Sequence, residues 1–335
     1  MTETYAHLSN NAIISATVVY TLAMLAHMVE WAMARDLVSA SAPSRASQTL
    51  IPALSRPDDF APPVAPGPDH AVEVNSDEAV ERSDRFGRIG LSLTVLGLLL
   101  HAAGVVMRGL AAQRVPWGSM YEFAITGSLA VSVAYVLLVR RYAIRWLGLL
   151  VTGFLVIVLG LAVVVLYRPV GPLVPALHSY WLLIHVSAAA IAGGAFTVGA
   201  LSSILFLVRS RAELKAAAHP DRPRTGFLWR TPPSEAIDRV AYRVHAFAFP
   251  LWTFAVLAGA IWAEHAWGRF WGWDPKEVWA FITWVAYAAY LHARSTAGWQ
   301  GRAAAYVALL GYATFIFNFV GINLFGSGLH AYSGM

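Results

Sequence analysis

The residues from Trp262 to Trp284 gather side chains that a simple linker would not need. Six of the chain's thirteen tryptophans lie there (Trp262, Trp267, Trp271, Trp273, Trp279 and Trp284), with His265, Arg269, Lys276 and the acids Glu264, Asp274 and Glu277. Indole faces at this density make a flat apolar wall, and cations at its edge can meet anionic substituents. Such a wall suits a flat aromatic ligand. A tetrapyrrole with two carboxylate side chains fits, with Arg269 and Lys276 at its rim; a quinone or an aromatic lipid head group fits less specifically. A plainer reading stands beside this one. Trp is enriched at membrane interfaces, which accounts for Trp31, Trp146 and Trp252 but not for five indoles between 262 and 279. Asp274-Pro275-Lys276-Glu277 is also a helix start, with Asp at the cap, Pro at the first helical position and Glu placed to complete a capping box.

The elements that carry these residues are membrane helices. The chain has 335 residues, 58% apolar and only 13% charged, against roughly 25% charged in a soluble protein. Apolar runs close to the ~20 residues that cross a bilayer predict spans over 12–33, 87–110, 123–139, 146–166, 180–208, 239–262, 275–293 and 303–324. The expected fold is all-α, a polytopic bundle of about eight transmembrane helices. Nineteen of the twenty-four Lys and Arg residues fall in the loops 34–90, 140–145, 209–243 and 294–302. The positive-inside rule puts those loops in the cytoplasm, and both termini and the segment 262–279 outside it. The same distribution explains the formal charge of +5 without nucleic acid; the lipid bilayer is the expected surrounding. Residues 1–35 are expected to form an N-terminal transmembrane helix, 36–84 a Pro-rich, disordered cytoplasmic loop, and 85–335 the main membrane domain. No cleavable signal peptide is apparent. The absence of cysteine excludes disulfides, thiolate metal sites and thiol nucleophiles from this chain.

Ionisable groups inside a membrane are costly and mark function by default. His185, near the outer end of span five, and His330, just beyond span eight, lie on the side of the Trp-rich segment. They could ligate one metal from opposite faces, and imidazole is a good iron ligand. His178 and His265 sit beside the same site, and spacing alone does not choose among the four. His292, fifteen residues after Glu277, lies about 22 Å down its helix at ~1.5 Å per residue, deep or at the inner edge. His101 lies near the middle of span two. His27 and His245 read as packing residues. Gly193, Gly194 and Gly199 form a small-residue stripe that lets membrane helices approach closely.

The run Trp271-Gly272-Trp273-Asp274-Pro275-Lys276-Glu277-Val278-Trp279, followed by Trp284, Tyr287, Tyr290, Leu291 and His292, closely resembles the WWD domain of haem-handling membrane proteins. Within them it is most similar to the CcsA/ResC-type cytochrome c biogenesis family, also called CcsB in some bacteria. Trp181-Leu182-Leu183-Ile184-His185-Val186, Gly328-Leu329-His330 and Pro116-Trp117-Gly118-Ser119-Met120-Tyr121-Glu122 support the resemblance, which covers roughly 85–335. It implies the haem-presenting half of a two-protein cytochrome c synthase in the bacterial cytoplasmic membrane. The implied partners are a ResB-type membrane protein, an apocytochrome c bearing Cys-x-x-Cys-His, and a thiol-reducing protein for that apocytochrome. The implied cofactor is haem b, held outside the cytoplasm against Trp267, Trp271, Trp273, Asp274, Trp279, Arg269 and Lys276. His185 and His330 match the outer haem-iron ligands. His292 matches the histidine of an inner haem site whose other ligand comes from the partner half. No residue is implied to act in acid/base catalysis. Two readings compete: a CcmC-like haem transporter that loads a separate chaperone, and a haem b subunit passing electrons to quinone. Eight spans and the C-terminal histidine motif disfavour the first, and a histidine pair confined to the outer face gives no transmembrane relay for the second.

Overall fold

A computed structural model describes residues 1–33, 68–142, 144–172, 177–221, 224, 226–326 and 328–330. The described residues contain no strand. Their helices are α1 (Thr2–Met33), α2 (Pro68–Ala112), α3 (Met120–Tyr142), α4 (Gly148–Leu161), α5 (Tyr180–Ala218), α6 (Ser234–Trp267), α7 (Pro275–Ser295), α8 (Arg302–Ile316) and α9 (Ile322–Phe325). A π-helical turn, Ala162–Leu166, extends α4, and another, Phe317–Gly321, joins α8 to α9. Seven helical segments among the described residues are long and apolar enough to cross a membrane, so the chain is a multi-pass membrane protein. The segment built on α7 is not one of the seven. Its 21 residues span about 31 Å at ~1.5 Å each, enough for a hydrocarbon core, but its first turn carries Lys276 and Glu277.

Three helices outrun their expected spans by ten residues or more at one end, the first being α1, which begins at Thr2. α2 begins at Pro68, so 68–84 of the expected loop are helical, while 36–67 lie outside the described residues. α5 continues to Ala218, ten residues past the apolar run, and Arg209 and Glu213 pair one turn apart there at 2.9 Å, the spacing that supports a polar helix surface.

Close packing rests on glycine. Gly90, Gly97 and Gly104 of α2 recur every seven residues and face His27, Tyr20 and Ile13 of the antiparallel α1. A Cβ at any of the three would stand 2.7–2.8 Å from those side chains. In α5, Gly193 meets Phe315, Gly194 meets the backbone of α3 at Ala130, and Gly199 meets His245, as the small-residue stripe predicts. At the α1 C-terminus, Glu30 pairs with His27 and Arg145, and Arg145 with Asp84. That charged cluster lies at the opposite end of the bundle from the Trp-rich segment.

Candidate functional site

Gly268, in the left-handed region with φ +69°, ends α6, so Trp262 and Trp267 stand on its last turns and only 268–274 form a loop. Two carboxylates organise that loop. Glu277 accepts hydrogen bonds from Gly272 N at 2.8 Å, Asp274 N at 3.1 Å and Arg269 Nη1 at 3.0 Å. The bond to Asp274 N is half of the expected capping box, which is present. The folded loop holds Trp273 at φ +59°, a conformation unfavourable for a bulky residue. Its indole is 67% exposed.

Asp274 does more than cap α7. Its Oδ2 accepts from Lys276 N at 3.3 Å and from His330 Nδ1 at 2.7 Å, and its Oδ1 from Leu329 N at 2.8 Å. Gly328 completes this contact, because a Cβ there would lie 2.3 Å from Asp274 Oδ1. The motif Gly328-Leu329-His330 is thus a clasp: glycine admits the carboxylate, the next amide binds it, and the imidazole binds it again. Burial pushes the His330 pKa down, and the Asp274 hydrogen bond and charge only partly offset that. Burial alone would raise Asp274, but its hydrogen bonds from His330 and Leu329 outweigh this and hold it below the usual carboxylate value. A carboxylate oxygen can only accept, so the proton of this bond sits on His330 Nδ1. With Nδ1–H donating to Asp274, Nε2 keeps its lone pair.

His185 is prepared in the same way. Its Nδ1 donates to the carbonyl of Ala255 at 2.7 Å, and its ring packs on Gly259. Neither His185 Nε2 nor His330 Nε2 has a hydrogen-bond partner among the described residues. Both rings meet Trp262: His185 stacks on it at 6.0 Å and 7°, and His330 meets it edge-on at 5.5 Å. Trp267 packs against His330 at 4.8 Å.

Both histidines line a mostly apolar cavity of about 610 Å³ between α3, the end of α4, α5, α6 and α8. Trp262, Trp271 and Lys276 line it too. Lys276 has no carboxylate within 4 Å among the described residues, and its Nζ stands 5.9 Å from the Phe319 ring. The other expected site residues surround this set. Arg269 is taken up by Glu277 and lies 5.8 Å over Trp267. Trp273 meets Trp271 edge-on at 5.8 Å, and Trp279 packs on Phe317 at 4.3 Å. His292 is exposed in the last turn of α7, some 26 Å along the helix from Pro275 at ~1.5 Å per residue, and does not belong to this cavity. His178 and His265 are exposed and do not line it either. His101 bonds the Ile125 carbonyl at 2.8 Å, and His245 is buried among Phe196, Tyr287 and Tyr290.

Two features were not foreseen in the sequence: the Asp274–His330 bond, between residues 56 apart, and the role of Trp262 as the surface both histidines share. No group of three or more His, Cys, Asp or Glu able to hold a metal occurs among the described residues.

Residues 117–330 match the family described as "Cytochrome C assembly protein". The "Cytochrome c biogenesis protein CcsA" of Synechococcus sp. (strain JA-2-3B'a(2-13)) is 33% identical over 298 residues, covering 73% of this chain and 83% of that protein. The protein of the same name from Guillardia theta is 34% identical over 258 residues, covering 73% and 85%. Among solved structures, a "Cytochrome c Heme Lyase CcmF" superposes with a TM-score of 0.57 at 14% identity. That likeness is one of fold. It takes in 96% of this chain, which spans about half the length of that protein.

Proposed function

This chain belongs to the cytochrome c assembly family, and from that membership we propose that it is the haem-presenting subunit of a two-component cytochrome c synthase. The observation that carries the reading is the pair His185 and His330. Each has its Nδ1 fixed by a carbonyl or carboxylate, each keeps Nε2 for a metal, and both line one mostly apolar cavity. Histidine ligands to metals are typically oriented in this way. Two imidazoles are too few for a bare ion but sufficient for an iron that brings its own four equatorial nitrogens. The residues present fit haem b: His185 and His330 would hold its iron. Trp262 and Trp271 would form the wall, and Lys276 would face an anionic side chain.

Bound haem b supplies the iron and the two vinyl groups to which thioether bonds are made. The chain's own contribution is positioning. Asp274 keeps the His330 tautomer, Glu277 holds the loop carrying Trp271, and the indoles exclude water. The thiols come from the Cys-x-x-Cys-His of an apocytochrome c, kept reduced by a separate thiol-reducing protein, since this chain has no cysteine. We place the site on the extracytoplasmic face of the bacterial cytoplasmic membrane, on the strength of the Lys and Arg distribution. A reporter fused after Met335 that acted in the cytoplasm would refute that orientation. His292, at the far end of α7, is assigned to an inner haem site shared with a ResB-type partner.

The test is co-expression with the ResB-type protein and an apocytochrome reporter. Haem b should co-purify with the wild-type chain and be lost from the outer site of a His185→Ala/His330→Ala double variant, with cytochrome c maturation abolished. Undiminished outer-site haem with unchanged axial spectra would overturn the assignment. A CcmC-like transporter would instead co-purify with a small haem chaperone.

A further inference from the structure

The arginines at the helix ends are not all used in the same way. Arg145, Arg209, Arg230 and Arg294 each pair with a carboxylate. Arg85 and Arg88 of α2 and Arg140 of α3 are exposed, and none of the three has a carboxylate within 4 Å among the described residues. The nearby acids of α2 do not neutralise them: Glu78 pairs with Arg82, and Glu81 is exposed and pairs with neither Arg85 nor Arg88. Arg88 stands directly before the apolar run of α2, and Arg140 directly after that of α3. The two helices run antiparallel, so both arginines lie at the same end of the bundle, the end that holds the Glu30–Arg145 pair.

Between the two helices at this end is a recess of about 340 Å³, lined by Leu91, Ser92 and Val95 of α2 and Val136, Val139 and Arg140 of α3. Arg85, Arg88, Ser92 and Val95 follow one another in steps of three and four and so share one face of α2. Arg88 therefore stands one turn from Ser92 at the mouth of the recess, across from Arg140. The hydroxyls of Thr94, Ser128 and Thr152 each bond the carbonyl four residues back, whereas that of Ser92 has no partner among the described residues. A polar group left unsatisfied in lipid is costly. An apolar recess, a free hydroxyl on its wall and unpaired guanidiniums at its mouth match one ligand chemistry, since basic pockets between transmembrane helices bind anionic lipid head groups. We propose that the α2–α3 recess binds an anionic phospholipid. Arg88 and Arg140 hold its phosphate through charge-assisted hydrogen bonds, Ser92 donates to an oxygen at the glycerol level, and an acyl chain lies over Val95 and Val136. The bound lipid bridges α2 to α3. The proposal is independent of the haem reading, and only the leaflet that supplies the lipid, the cytoplasmic one, follows from the orientation proposed above.

The full chain, purified in a neutral detergent and stripped of lipid, would be offered dioleoyl phosphatidylglycerol and dioleoyl phosphatidylcholine, which carry the same chains, and the retained lipid counted by native mass spectrometry. The wild-type chain should favour phosphatidylglycerol by about 25-fold, about fivefold for each of Arg88 and Arg140. The double variant Arg88→Gln/Arg140→Gln should lose that preference. Arg141→Gln, next to Arg140 but on another face of α3, should keep it. A wild-type chain without preference overturns the proposal. So does an Arg141→Gln variant as impaired as Arg140→Gln, because the attraction is then that of a charged surface and not of a site. Glycerophosphoglycerol, the head group without chains, should not displace the lipid, and displacement by it would likewise overturn the role of the recess. Loss of phosphatidylglycerol on adding the ResB-type protein would assign this face to that partner and overturn the lipid reading. The substituted arginines are exposed, so the variants should fold and bind haem b as the wild type does, and a failed lipid preference leaves the haem reading standing.

Discussion

Replacing Asp274 with Asn separates two tasks that the carboxylate performs at once. Asn caps helices about as well as Asp, so α7 should still begin where it does, and the capping contribution should change by well under about 1 kcal/mol. The ligand-orienting task does not survive so easily. Asp274 receives Leu329 N on Oδ1 and His330 Nδ1 on Oδ2, and an amide has only one oxygen. In either flip, one of these donors faces an NH2 group. Where the His330 bond is kept, it changes from charge-assisted, about 1.5–3 kcal/mol, to neutral, about 0.5–1.5 kcal/mol. His330 then holds its tautomer less firmly by on the order of 1 kcal/mol, and losing such a supporting partner lowers metal affinity by roughly 10–100-fold. The assay is absorbance titration of haem b into the purified chain, with thermal unfolding followed in the same detergent. We expect affinity to fall 10–100-fold while Tm stays within a few degrees of wild type. Unchanged affinity with a lowered Tm would refute the reasoning and reduce Asp274 to a helix cap. Asp274→Ala removes both tasks and should lower both readouts, so the contrast between the two substitutions carries the result.

Gly328→Ala sets a methyl group against Asp274 Oδ1 and should repeat the Asp274→Asn loss of haem retention, read by the same titration. Trp273→Gly relieves a left-handed backbone that only glycine adopts freely. Stability should hold or rise by up to about 1 kcal/mol, while maturation of a reporter cytochrome c falls, and a parallel fall in protein abundance would contradict this. Gly194→Ala drives a Cβ to 2.9 Å from the α3 backbone at Ala130. Overpacking of this kind costs about 1–3 kcal/mol, so Tm should drop with little change in haem affinity of the folded fraction.

Much of this architecture is legible in the sequence because membrane helices announce themselves. A lipid-facing helix must be apolar over its whole length, so the predicted spans fall on the observed helices with shifts confined to their polar ends. The cap at Asp274 is a local pattern and was readable for the same reason. The glycines at 90, 97 and 104 were readable in principle, since a seven-residue repeat is a helix–helix seam, but the matching residues of α1 identify it only once the two helices are paired. What the sequence hides is what long-range packing decides. Nothing in the chain links Asp274 to a histidine 56 residues on, or places Trp262 under both imidazoles. Arg269 reads as a free cation and is in fact paired with Glu277, leaving Lys276 as the cation in the cavity lining. The π-helical turns have no composition of their own.

The two candidate ligands are held with unequal strength, and that inequality bears on how a haem could be handed on. His185 sits within α5, its Nδ1 bonded to a carbonyl of α6 and its ring pressed on Gly259. Moving it means moving a packed helix. His330 follows α9 on a segment where Gly328 and Leu329 are exposed, and the described contacts that hold its polar atoms are those to Asp274. Withdrawing His330 breaks its bond to Asp274 and its packing on Trp262 and Trp267, but it moves no membrane helix. A substrate histidine arriving from Cys-x-x-Cys-His would thus replace His330 while His185 remained. Single substitutions test this hypothesis. His185→Ala should lose both haem retention and maturation, whereas His330→Ala should lower retention yet keep part of its maturation when haem is plentiful. If the two variants fail alike at every haem level, the ligands are equivalent and the clasp at Asp274 has no part in release.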